Sequence, residues 1–106
     1  MFSINHEDWS VALVYPDDPA LLMPNGRYAL GACNDITKTI YINHTLYGED
    51  FERVLCHELT HAAMFAYDVT LDHNEEELLA EVIATFGEEI VDITDILFDK
   101  ITRGRH

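Results

Sequence analysis

Two histidines and a glutamate that share one short stretch, His57-Glu-Leu-Thr-His61, carry the strongest chemical signal in this chain. On a helix, residues four apart lie one turn apart along the axis and about 40° apart around it, so both imidazoles can converge on one cation. Neutral imidazole suits zinc, which in catalytic centres takes three protein ligands and leaves a fourth position for water. Zinc lowers the pKa of such a water from about 15.7 to roughly 7. A glutamate directly after the first histidine stands where a general base takes the released proton. His57 and His61 are therefore expected as metal ligands, Glu58 as the base and Zn2+ as the cofactor, although the same donors also accept iron, nickel or copper.

The competing reading is a surface helix on which these residues coincide. Their surroundings argue against it: Val54 and Leu55 precede the stretch, Ala62 and Ala63 follow it, and no basic residue occurs between Arg53 and Lys100. The helix that must carry the pair runs from about residue 49 to near 67. Phe51, Val54, Leu55, Leu59, Ala62, Ala63 and Ala66 form its apolar stripe, and acidic residues sit at its start, where the dipole favours them. A second helix begins near residue 75, with Leu79, Val82, Ile83, Phe86, Ile90, Ile93 and Leu97 as its expected core face.

A third ligand has to come from elsewhere, and Glu77 and Glu81 share one stripe of that second helix. Each has a competing use. Glu77 stands three residues after Asn74, the spacing of a capping box, Glu75 and Glu76 complement the helix dipole, and Glu81 would flank the core face in solvent. If Asp72 caps the helix instead, Glu77 moves into the second turn, nearer the histidines. One of the pair is expected as ligand and the other as acceptor for a histidine N–H.

Residues 11–15, 27–33 and 37–43 read as strands separated by Pro16-Asp-Asp-Pro19, Asn25-Gly26 and Asn34-Asp35 turns. The segment 37–43 alternates polar and apolar residues, the pattern of a half-buried strand at an edge. The expected class is α+β, a small N-terminal β-sheet packed on two long antiparallel helices in one domain spanning residues 1–106.

Composition narrows the function. Twenty acidic against six basic residues give a net charge of -14, which repels nucleic-acid phosphates and anionic membranes. No apolar run approaches the roughly 18 residues of a membrane span, and the first eight residues lack the basic-then-apolar pattern of a secretory signal. A cytoplasmic protein is expected, with Cys33 and Cys56 as free thiols. Cys56 adjoins His57 but projects from another side of the helix, which sets it apart from the ligands. Lys100, Arg103 and Arg105 form a short basic tail that reads as a solvated end.

The order Gly31-x-Cys33-x-Asp35, Thr39-Ile-Tyr-Ile-Asn43, His57-Glu-Leu-Thr-His61 and Glu77-Leu-Leu-Ala80-Glu81-Val-Ile83-Ala84 resembles the ImmA/IrrE-type zinc metallopeptidases, in particular their small phage and mobile-element versions. The resemblance covers residues 28 to 90, closely in the helices and loosely in the strands. It implies a zincin-like fold and makes Glu77 the third ligand, with Glu81 in the supporting position. Glu81 stands where the family carries Asn or Asp, and Ile83 where it carries Phe. A thermolysin-like spacing from His61 favours Glu81 as ligand instead. In that family an edge strand beside the active-site helix aligns an extended peptide by strand addition, and Ile40, Tyr41, Ile42 and Asn43 are the candidates here. Tyr41, His44, Tyr67 and His73 are candidates for stabilising an oxyanion, each reading first as a packing or surface residue, and His6 and His106 fall outside the site.

The resemblance implies a zinc-dependent peptidase acting on a protein or peptide, such as a phage or mobile-element regulator; the chain's small size leaves little recognition surface, so a protein partner or a fused domain is expected to supply selectivity. The alternative is a non-catalytic acidic binding protein, or nucleic-acid mimic, on the same scaffold. A purely structural zinc site, usually closed by four cysteine-rich ligands, fits poorly.

Overall fold

The computed structural model describes residues 1–104; Arg105 and His106 lie outside the described residues. At the N-terminus β1 (Phe2–Ile4) and β2 (Glu7–Val14) form an antiparallel hairpin with Phe2 opposite Trp9. Asn5 and His6, which join the strands, both have positive φ (48° and 65°), as the tight hairpin turn that matches strand twist requires. The Asn5 amide also reaches the end of the first helix, α1 (Gly48–Ala66), donating from Nδ2 to the Ala66 carbonyl at 2.8 Å. Carbonyls in a last helical turn lack intrahelical donors, so this bond satisfies one of them and ties the hairpin to the helix.

A single 3₁₀ turn, Pro19–Leu21, is capped by Asp18, whose Oδ1 accepts from Ala20 N at 2.8 Å. It is followed by β3 (Gly31–Asn34) and β4 (Thr39–Asn43). The four strands lie in the order β1-β2-β4-β3, with β2 and β4 parallel and the outer pairings antiparallel. With α1 and a second helix, α2 (His73–Arg103), the chain is α+β.

The edge position expected for Ile40, Tyr41, Ile42 and Asn43 is corrected. Ile40 lies opposite Val11 of β2 on one side and Cys33 of β3 on the other, so β4 is an interior strand and β3 forms the edge. Polar–apolar alternation reports which face of a strand is buried and says nothing about its neighbours, which is why the pattern misled. Asn34 turns β3 back onto β4 by accepting at Oδ1 from the backbone of Ile36 (2.9 Å) and Thr37 (3.1 Å). The strand expected over 27–33 starts only at Gly31, because Asn25 Oδ1 accepts from Arg27 N at 2.9 Å and holds that region in a turn.

One face of the sheet buries Trp9, Ile40 and Ile42 against Ala62 of α1. Trp9 is fully enclosed, and its indole Nε1 has no hydrogen-bond partner among the described residues. An unpaired buried N–H costs on the order of 1–3 kcal/mol. Burying the ring system contributes about 4–6 kcal/mol, so the apolar gain prevails.

The second helix begins with a capping box. Asp72 Oδ1 accepts from Glu75 N at 2.9 Å and Glu75 Oε1 accepts from Asp72 N at 3.4 Å, and the bonds from Glu75 hold the Asp72 carboxyl below its usual range. Asn74 and Glu77 are thereby excluded as the capping pair, and Glu77 falls in the second turn. The expectation of two helices layered on the sheet is also corrected: α1 covers the sheet, while α2 packs on α1 and only its Ala80 is buried. The stripe from Leu79 to Leu97, expected as core, is exposed, because α1 meets a different side of α2. Among the described residues no helix is long and apolar enough to cross a membrane.

Candidate metal centre

His57, Glu58 and His61 lie in the middle of α1, and the antiparallel course of α2 brings three glutamates to them. His61 Nδ1 is 2.7 Å from Glu76 Oε1, and His57 Nδ1 is 3.2 Å from Glu81 Oε2. A carboxylate only accepts, so a neutral imidazole held by either of these contacts donates from Nδ1 and presents a lone pair at Nε2. These two Nε2 atoms lie 3.2 Å apart. Between them projects Glu77, with Oε1 3.0 Å from His61 Nε2 and Oε2 3.4 Å from His57 Nε2.

In that tautomer two imidazole lone pairs and the Glu77 carboxylate face one another from two helices, an arrangement that a cation stabilises. Bonds of about 2.0–2.1 Å to a tetrahedral zinc put neighbouring ligand atoms roughly 3.3 Å apart, close to the separations found here. The donor set of two imidazoles and one carboxylate fits that ion. His61 is buried, His57 has a fifth of its side chain exposed, and Glu77 is 45% exposed, so the cluster opens to solvent on the Glu77 side.

Glu58 is buried at the floor of the cleft that the histidines also line. Burial pushes its carboxyl above the ordinary range, His57 and His61 pull it partly back, and Glu77 adds a smaller upward push. A carboxyl so raised binds a proton more readily, which suits a general base. Its position is fixed by Gly31 on the edge strand. A Cβ at Gly31 would stand 2.8 Å from Val54 Cγ1, 3.0 Å from Glu58 Cγ and 3.2 Å from Glu58 Oε2. Only a glycine lets β3 lie this close to the helix. Gly31→Ala is expected to destabilise the fold by about 1–3 kcal/mol through overpacking, since Val54 is stiff at χ1 in a helix, and to displace Glu58. Urea unfolding of the variant measures the cost.

Between β3 and the histidine face runs a cleft of about 410 Å³. Leu21, Leu22, Met23 and Leu30 give it an apolar wall, His57, Glu58, His61 and Glu77 its polar floor, and Arg53, 3.9 Å from Glu81, a basic rim. Tyr41, His44, Tyr67 and His73 do not line it. Tyr41 alternates onto the sheet face away from α1, and His44 packs edge-on against Tyr15 with ring centroids 5.2 Å apart. Cys33 of β3 packs against the core, its thiol pushed up to about 12 chiefly by burial. Burial, then Glu52 and Glu88, raise the Cys56 thiol as well, so neither cysteine offers a thiolate at neutral pH.

Sequence reasoning missed two parts of this site. Glu76 was assigned only to the helix dipole, yet it holds His61; adjacent Glu76 and Glu77 reaching the two sides of one ring were the available signal. Gly31, a glycine within an expected strand, was the available sign of close backbone approach. Glu76→Ala is expected to weaken zinc binding by about 10–100-fold, the usual effect of losing a partner that orients a ligand. Competition with a chromophoric chelator reads this; unchanged affinity would reduce Glu76 to a helix-start charge.

Comparison of the chain with protein-family models, with curated proteins and with solved structures gives no match.

Proposed function

We propose that the chain is a zincin-like, zinc-dependent peptidase of the ImmA/IrrE kind, with His57, His61 and Glu77 as metal ligands and Glu58 as general base. The observation that carries this reading is the convergence of two imidazole Nε2 atoms and the Glu77 carboxylate within 3.4 Å of one another, each histidine backed at Nδ1 by a second glutamate. Bound there, zinc would supply a Lewis acid for a peptide carbonyl and lower the pKa of water.

The remaining chemistry belongs to the chain. Glu58, buried at the cleft floor beside the histidines, accepts a proton from the attacking water and returns it to the departing amine. Glu76 and Glu81 keep the imidazoles in one tautomer and orientation. The free edge of β3, in place of the interior Ile40–Asn43 strand, offers backbone donors and acceptors on which an extended peptide aligns. Leu21, Leu22 and Met23 exclude water from one side of the cleft and favour an apolar residue there. The substrate is a protein or peptide met in the cytoplasm, and a regulator of a mobile element is the class the sequence resemblance suggests.

The test is hydrolysis of a denatured-protein or peptide-library substrate before and after chelation. Cleavage abolished by chelator and restored by one equivalent of zinc is the expected outcome. Cleavage that chelation does not alter, or a protein that takes up no divalent metal, would overturn the reading.

A further inference from the structure

The helix that delivers Glu77 continues past the cleft, and along one face it carries an apolar stripe that stays partly exposed among the described residues. We propose that the chain pairs with a second copy of itself through the face of α2 bearing Leu79, Ile83, Phe86, Ile90, Ile93 and Leu97. These residues follow one another in steps of four and three, the seam repeat of a coiled coil, and each is 37–57% exposed. Val82, Ile96 and Ile101 border the seam and are about as open. Side chains of this size, half exposed, together present on the order of 800 Å², the share one partner contributes to a standard interface and more than the roughly 300–600 Å² patch usual on a monomer.

Self-pairing is favoured by where the charges lie. Glu81, Glu88, Asp95 and Asp99 project from the side of the helix opposite the seam, so two copies in contact keep their acidic stripes apart and solvated. An anionic membrane is disfavoured by the same stripe, since surface-seeking helices carry lysine and arginine on their polar face. A basic peptide would seek the acidic side, leaving the seam uncovered. The first helix leaves room for such pairing, because α1 meets α2 on the side of buried Ala80, about 100° round from Leu79.

Sedimentation equilibrium of the whole chain across a wide concentration range tests the proposal, with a dimer mass expected. Ile90→Asp and Leu97→Asp should each raise the dimer dissociation constant by roughly 100-fold, as a charge placed in an apolar seam must be desolvated. Ile36→Asp, on an 89% exposed turn far from the seam, should leave it unchanged. A wild-type chain that stays monomeric throughout overturns the proposal whatever the variants do, including when it sediments with neutral phosphatidylcholine vesicles. A helical Ile90→Asp variant that dimerises as tightly as wild type overturns it equally.

Discussion

Glu58→Gln is expected to lower kcat for peptide hydrolysis by roughly 10²–10⁴-fold while zinc stoichiometry stays at that of the wild type. The amide matches the carboxylate in shape, so it fits the space beneath Gly31 and beside Val54, and none of the three converging ligand atoms is touched. What disappears is basicity: an amide oxygen does not hold the proton that water must lose. The expected loss corresponds to about 3–5 kcal/mol of barrier. KM should change little, because Glu58 acts on the reacting water rather than on the body of the substrate. The substitution also separates the peptidase from the acidic-binder alternative. A protein that works only by presenting negative charge would keep its binding activity after this change, and intact binding with no cleavage in either form would sink the enzymatic reading.

His61→Ala carries the second large effect. Removing one of three protein ligands should weaken zinc binding by roughly 10³-fold or more, beyond the 10–100-fold that follows loss of a supporting partner. The substitution acts twice, because His61 supplies Nε2 to the cluster and is oriented by donating from Nδ1 to Glu76 Oε1 at 2.7 Å. Thermal unfolding gives an independent readout. At free zinc 1,000-fold above its dissociation constant the wild type gains about 4 kcal/mol of stability by mass action, whereas the variant at the same zinc concentration should gain little. Equal metal content and equal zinc-induced shifts in the two proteins would show that the histidine pair is incidental.

Parts of this arrangement were legible in the residues and parts were not. The first helix could be read within a residue or two, since its apolar stripe and the change of period after Asn43 are strong local signals. The α+β class followed from strands preceding helices. Proximity of Glu77 to the histidines depended on which residue caps α2; Asp72 and Asn74 are both good caps, and only the Asp72–Glu75 pair fixes the phase. The β1–β2 hairpin went unseen because its turn is Asn5-His6, which adopts left-handed backbone without the glycine that usually marks it. Strand order was beyond local reading altogether. Whether Ile40 to Asn43 had one neighbour or two depends on residues 7–14 returning in parallel register, a long-range fact that alternation does not encode. The seam of α2 was recognised as apolar but assigned to the core, as periodicity identifies a sticky face without identifying what sticks to it.

The proposed ligands also tie together two helices whose packing on each other buries little of the second. His57 and His61 belong to a helix packed on the sheet, while Glu77 belongs to one that buries a single alanine. A cation shared between them acts as a rivet, and the negative charges of Glu58, Glu76, Glu77 and Glu81, crowded into the same small space, would drive the joint apart once it was withdrawn. Loss of metal would therefore loosen the long helix as well as silence the chemistry, making the chain's resistance to proteases at the connection between the helices a gauge of its metal load.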